Sequence, residues 1–392
     1  MSSTGSVPAE IAGRLRRSAP AGSDLAWRAP GRANLIGEHT DYNDGFVLPV
    51  ALRLAVYIAG RRTPGRLELA SLDHPGTATV DLGTGEGPTE GWGRYATAVV
   101  CSLRDEGVEL AGFSGALVSE VPTGAGLSSS AALEVAIASA IVAEPLDPVR
   151  MAKICQRAEN VYVGVQSGIM DQLASAAGRS GHALLVDCRD ISMEAVEVPD
   201  SLRVMVIDSA VQRGLADSGY NERRKQCEAA ASAMRAASLR DADGDRLESH
   251  RGSMEEVTYR RARHVITENR RVIDTVAALR AADFESLGRL FADSHRSYAD
   301  DFEASTPEVD TLVEVAQGTV GVIAARLTGG GFGGCTVNLV LQGRAEDAGA
   351  EILSGYRSLT GLEGRLWITE PADGATPLEF LAGGGFAPRL VG

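Results

Sequence analysis

One arginine, one histidine and three carboxylates crowd the thirteen residues that begin at Arg32: Glu38, His39, Asp41 and Asp44 follow in a run bracketed by Pro30-Gly31 and Gly45. A solvated loop can be this polar. Here, however, Leu35-Ile36 on one side and Phe46-Val47-Leu48 on the other pin the charges between apolar anchors. A charge tethered beside a core is costly unless something pairs with it, so a run of this kind usually serves a ligand. Carboxylates accept hydrogen bonds from hydroxyls, and histidine can donate or accept. The ligand this set suits best is a polyol or sugar.

A second segment offers phosphate chemistry. Val121-Pro-Thr-Gly-Ala-Gly-Leu-Ser-Ser-Ser-Ala131 is a glycine-rich loop between a strand-like run, 113–121, and an almost wholly apolar helical run, 131–143. Gly124 and Gly126 let the backbone approach an anion, and the helix beyond offers free N–H groups and the positive end of its dipole. No lysine follows the glycines, so the loop is not a Walker A motif, and Ser129 stands where a dinucleotide fingerprint requires glycine. The serines instead supply hydroxyls for phosphate or Mg²⁺. An N-capped core helix is the plain alternative. A third segment, Leu327-Thr-Gly-Gly-Gly-Phe-Gly-Gly-Cys-Thr336, has five glycines in the six positions 329–334 and permits close approach of backbone to a ligand or to another segment.

Together these segments resemble the GHMP kinases, and within them the galactokinases. Gly31-Arg32 through Gly45, Gly168-Ile-Met-Asp-Gln172, Ser218-Gly-Tyr220 through Cys227, and Ser294-His295 through Glu303 are all similar to galactokinase segments, and the resemblance spans about residues 25 to 340. It implies a two-domain α+β architecture with the active site in the interdomain cleft, here divided as 1–198 and 199–392. It also implies ATP-dependent phosphorylation of the C1 hydroxyl of α-D-galactose. Such a reaction needs an oriented oxygen nucleophile, a carboxylate, a cation on the moving phosphoryl group and Mg²⁺.

By resemblance, Asp171 is the catalytic carboxylate and Arg32 the cation beside it. Glu38, His39, Thr40, Asp41, Gly168 and Tyr220 contact the sugar. Gly124, Ala125, Gly126, Leu127, Ser128, Ser129 and Ser130 cradle the ATP phosphates, Ser71 approaches the adenine or ribose, and Ser130 with Glu159 serves Mg²⁺. Each has a structural competitor. Asp171 can cap the helix that follows it, Arg32 can pair with Glu38 or Asp41, Glu159 can lie on a solvated helix face, and Tyr220 can be a core tyrosine. His295 and Asp300-Asp301 read as structural. Ser167 replaces a frequent cysteine and Ala33 a frequent valine, and neither removes a reactive group. Two rival functions remain: a sensor that binds sugar and ATP without transfer, and a kinase for a related sugar such as N-acetylgalactosamine or arabinose.

The elements that position these residues follow from hydropathy. Strand-like runs at 47–59, 66–71, 113–121 and 182–187 alternate with helices near 92–106, 128–143, 148–163 and 169–177. Residues 76–91 read as a surface turn region. After Pro199-Asp200 a strand at 202–208 opens a mainly helical part, with an Ala-rich surface stretch at 229–246 and strands near 321–327, 335–341 and 365–369. The tail beyond Asp373, with Gly383-Gly384-Gly385, reads as mobile.

Composition sets outer bounds. The 392 residues carry 38 basic and 52 acidic side chains, a net charge of −14, which argues against nucleic acid as partner. The five cysteines are dispersed with no Cys-x-x-Cys pair and read as reduced thiols of a cytoplasmic protein. Residues 1–24 lack a signal-peptide core, and no run is apolar enough to span a membrane. A monomer or weak dimer is expected.

Overall fold

A computed structural model describes residues 7–211, 216–381 and 385–389, the side chains of 216–218 excepted. Gly383 and Gly384 of the tail, and the Ser218 side chain, lie outside the described residues. Contrary to the mobile reading, the described part of the tail is structured: Thr376–Phe380 pairs with Leu25–Asn34, and Phe386–Pro388 pairs with Thr376–Phe380.

The larger sheet has seven strands among the described residues. Their order is Phe386–Pro388, Thr376–Phe380, Leu25–Asn34, Pro49–Arg62, Phe113–Ser119, Arg66–Ser71 and Thr77–Asp81. Thr77–Asp81 falls inside the expected turn region. Its alternation buries Ala78 and Val80, a strand signal masked by the surrounding Gly and Thr. A second sheet of four antiparallel strands runs Val322–Leu327, Cys335–Leu341, Leu202–Asp208, Arg365–Thr369. A short sheet joins Phe46–Val47, His182–Asp187 and Ser192–Glu197.

A single cut at 198 does not separate these sheets. The last two strands return to the first sheet, and one continuous core takes in Leu35, Val50 and Val135 together with Val206, Val272 and Leu339. The two larger sheets therefore share a core. The Ala-rich stretch is also less superficial than expected. Ala230, Met234 and Leu239 are buried, and Arg240 reaches Asp187 at 3.0 Å.

Two helices carry the site. Ser129–Ile141 is apolar nearly all round and buried, as its composition requires. Met170–Ala177 packs beside it and against Leu25–Asn34. The helix expected over 148–163 is α-helical only to Arg157. Residues Ala158–Val163 widen into a π-helical turn that stops at Gly164, with φ 90°. Such turns recur at functional sites because they rotate one side chain out of register. Here the residue concerned is Glu159.

Candidate active site

A cavity of about 330 Å³ is lined by parts of the polar run that begins at Arg32 and of both glycine-rich segments, 121–131 and 327–336. Arg32 enters it from Leu25–Asn34. The pairing of that strand with Pro49–Arg62 slips between Pro30 and Arg32, a bulge that re-aims the side chain. The strand also abuts the second loop: the Arg32 N–H donates to the Leu127 carbonyl at 3.1 Å, and a Cβ on Gly31 would lie 2.6 Å from that oxygen. Glycine is required there for this approach.

Arg32 is 4 % exposed and pairs with Asp171, not with Glu38 or Asp41. Its Nε donates to Oδ1 at 2.8 Å, and Nη2 is ion-paired with the same oxygen at 2.8 Å. The other Asp171 oxygen accepts from the Ser128 hydroxyl at 2.5 Å. Asp171 does not cap its helix, whose N-cap position is Ile169. Nor does Ser128 cap Ser129–Ile141. It adopts a left-handed φ of 58° and its hydroxyl is committed to Asp171, so no side chain closes that helix N-terminus. Free N–H groups there face the cavity, which Ser129 and Ser130 line.

The signature loop forms the opposite wall. Glu38 is buried beneath it: Oε1 accepts from the Gly329 N–H at 3.0 Å, and Oε2 is ion-paired with Arg326, itself wholly buried. Burial pushes the Glu38 carboxyl up and Arg326 pulls it back. Arg326 also lies 3.6 Å from Glu268. His39 has a φ of 62°, and its ring nitrogens meet the hydroxyls of Tyr42 at 2.8 Å and Tyr298 at 2.9 Å. Burial lowers its pKa well below the usual value, so the ring is neutral. Asp41 faces the cavity with its carboxyl raised to about 6, first by burial and then by the nearby charge of Asp171. Gly168 touches it so closely that a Cβ would lie 1.8 Å from Asp41 Oδ2. Tyr220 completes this wall, its hydroxyl pushed well up by burial and by Asp41 and Asp171.

Glu159 is 6 % exposed and lines the cavity, which removes the solvated-face reading. Its Oε2 accepts from Gln172 at 2.8 Å and from Ser167 at 2.9 Å. Burial and the Asp171 charge push its carboxyl up, and a hydrogen bond from Ser130 opposes them.

Four residues expected at the site do not face it. The Thr40 hydroxyl is buried between the carbonyls of Gly37 at 2.8 Å and Phe46 at 2.6 Å, which share its one proton, and this holds the signature loop closed. Ala125 and Leu127 are buried and outside the lining, so only their backbone belongs to the loop. Ser71 is also outside the lining, and its hydroxyl accepts from the N–H of His74 at 3.1 Å. Conversely, Arg94 and Tyr95 line the cavity from the start of the helix Gly93–Asp105, and Asn221 lines it beside Tyr220. Nothing in their local sequence marks them. Gly329 and Gly330 also line it, as the density of glycines allowed.

The chain matches the family described as Galactokinase galactose-binding signature over residues 18–62, GHMP kinases N terminal domain over 94–179 and GHMP kinases C terminal over 275–357. It is 44 % identical to a galactokinase of Roseiflexus sp. (strain RS-1) over 356 residues, 88 % of this chain and 91 % of the relative. The chain belongs to the galactokinase family. Its fold superimposes on Lactococcus lactis galactokinase complexed with galactose with a TM-score of 0.86 and 31 % identity, covering 90 % of this chain and 95 % of the other. The mevalonate kinase of Methanococcus jannaschii shares the fold at a TM-score of 0.63 and 18 % identity, covering 90 % of this chain and all of the other. The chain is thus a kinase of GHMP architecture. Among the described residues no helix is long and apolar enough to cross a membrane.

Proposed function

We propose that the cavity transfers the γ-phosphoryl group of ATP to the C1 hydroxyl of α-D-galactose, giving galactose 1-phosphate and ADP. The observation that carries this reading is the placement of Asp171. One of its oxygens is held by Arg32 and the other by Ser128 of the phosphate loop, between that loop and the sugar-facing wall of Asp41 and Tyr220. A hydroxyl seated against Asp171 is oriented toward the phosphoryl group, and its proton has a carboxylate to receive it. Arg32 offsets charge on the moving group. Because such transition states are loose, positioning and charge do most of the work. The backbone of Gly124–Ser130 and the helix N-terminus take the phosphates, and Glu38, His39, Asp41, Gly168 and Tyr220 surround the sugar.

The residues present fit a divalent cation beside Ser130 and Glu159. Glu159 is a buried carboxylate whose hydrogen-bond partners Ser130, Ser167 and Gln172 are all neutral. One carboxylate and one hydroxyl, with phosphates and water, make the set that Mg²⁺ prefers. When bound, Mg²⁺ neutralises phosphate charge. Dispersed cysteines with no Cys-x-x-Cys pair support a reducing, cytoplasmic location. The net charge of −14 supports small-molecule rather than nucleic-acid partners, the chain acting as a monomer or weak dimer.

A coupled ADP-release assay with a sugar panel tests the reading. Galactose and 2-deoxygalactose should be phosphorylated, glucose poorly, and N-acetylgalactosamine not at all. Binding without ADP release would return the sensor reading. Equal specificity constants for glucose and galactose would overturn the choice of sugar.

A further inference from the structure

The helix Ser129–Ile141 holds one group that its packing does not explain. Around Glu134 lie Ala131, Ala132, Val135, Ala136 and Ile137, all buried, and Glu134 itself is 0 % exposed. A leucine or methionine would fill this position without placing a carboxyl in the core, where an unmatched polar group is costly. Glu134 is four residues beyond Ser130, so both project from one face of the helix. The side chain reaches Gln172, the residue after Asp171. The Gln172 carboxamide, also wholly buried, donates to Glu134 Oε2 at 3.3 Å and to Glu159 Oε2 at 2.8 Å. The Oε1 atoms of both Glu134 and Gln172 have no partner. These contacts therefore converge on one task, which is to share a single NH₂ group between two carboxyls.

Glu159 needs such support. It sits on the π-helical turn Ala158–Val163, whose outer residues Val161 and Tyr162 are 59 % and 42 % exposed, so its own element is anchored on one side only. We propose that Glu134 and Gln172 are positioning residues that form an internal brace, fixing the Gln172 amide so that it aims the Glu159 carboxylate into the phosphate end of the cavity and thereby tunes divalent-cation affinity. Two N–H bonds on one amide nitrogen allow the carboxamide a single orientation. Without Glu134 it can rotate and present its oxygen to Glu159, which repels the carboxylate from its aim. Burial and the charge of Glu159 push the Glu134 carboxyl well above its usual range. The inference rests on the reading of Glu159 as a Mg²⁺ residue.

The test compares wild type with Glu134→Met, Gln172→Met and the conservative Glu134→Gln. ATP binding is measured calorimetrically with and without Mg²⁺ in the absence of sugar, and galactose binding in the absence of nucleotide. Supporting groups behind a metal ligand typically contribute about 10- to 100-fold in metal affinity. Both methionine variants should lose about tenfold or more of the Mg²⁺-dependent gain in ATP affinity. Metal-free ATP affinity and galactose affinity should stay within about twofold. Glu134→Gln, which keeps an oxygen for the Gln172 amide, should bind like wild type. If Glu134→Met does not fold, Gln172→Met carries the test. A normal gain in Gln172→Met, or galactose affinity falling in step with it, overturns the brace. A wild-type protein with no Mg²⁺-dependent gain overturns the metal reading of Glu159 and the brace together.

Discussion

Gly168→Ala isolates the contact between Asp41 of the proposed sugar wall and the segment that leads into Asp171. The backbone at Gly168 is not left-handed, so alanine meets no conformational penalty, and the effect is steric. The added Cβ would lie 1.8 Å from Asp41 Oδ2 and 2.2 Å from its Cγ, against 3.4 Å for ordinary contact. One of the two must therefore move by about 1.6 Å. Asp41 has a short side chain, and its other oxygen is tied to the Tyr42 N–H at 3.0 Å, so it cannot swing aside and keep that bond. The alternative is displacement of the segment that leads into Asp171. A misplacement of about 1 Å near a reacting group can cost about 10²-fold. Loss of hydrogen bonds from sugar hydroxyls to a carboxylate costs about 1.5–3 kcal/mol, or roughly ten- to a hundredfold in kcat/KM.

Steady-state kinetics with galactose and ATP varied independently should therefore show kcat/KM for galactose reduced about ten- to a hundredfold. KM for ATP should change little, because the 124–130 loop is untouched, and the overpacking should cost about 1–3 kcal/mol of stability. The double mutant Gly168→Ala/Asp41→Ala should be no worse than Asp41→Ala alone, since removing the carboxylate removes the clash. Wild-type kcat/KM for galactose in Gly168→Ala, or full additivity in the double mutant, would refute the reasoning.

Asp171→Asn should lower turnover about 10²–10⁴-fold while ATP binding holds, a split that single-turnover kinetics with a binding titration will reveal. Arg326→Leu leaves Glu38 buried without its cation and should cost about 3–5 kcal/mol of unfolding free energy by urea denaturation near neutral pH. The folded-state pKa of Asp41, about 6, lies above its ordinary 3.8, so the stability that protonated Asp41 contributes is full below about pH 4 and lost as pH rises through about 6. Sugar hydroxyls donate to the ionised form, so galactose binding near pH 6 should release protons and weaken at lower pH. Calorimetry in buffers of different ionisation enthalpy reads this directly, and Asp41→Asn should abolish it.

Much of the site was legible because its close approaches require glycine. Where Arg32 meets the Leu127 carbonyl, and where Asp41 meets the segment before Asp171, a side chain would collide, so Gly31 and Gly168 stand there. Glycine next to a charged residue leaves a readable string. Side-chain direction leaves none. Thr40 sits between His39 and Asp41 in the signature yet turns into the protein, and Leu127 lies in the phosphate loop yet faces the core. Strand pairing is equally silent: Thr376–Phe380 joins the first sheet because Leu25–Asn34 has a free edge, which no local pattern shows.

The deepest omission was Arg326. It carries no expected role within the strand Val322–Leu327, yet it is one of the largest fully buried side chains among the described residues. Its partner Glu38 is 288 residues away. A buried arginine is tolerated only where carboxylates already wait, and here Glu38 comes from the signature loop and Glu268 from the long helix Glu256–Ala281. The same Glu38 takes the Gly329 N–H. One carboxylate thus ties the sugar loop, the third glycine-rich segment and the second sheet into a single wall. Glu38 therefore supports the sugar pocket through anchorage as much as through any bond to the ligand. This predicts that Glu38→Gln loosens the His39–Asp41 wall and weakens galactose binding even where the sugar's own hydrogen bonds can be kept. Unchanged galactose affinity and unchanged stability in that variant would show that the wall stands without it.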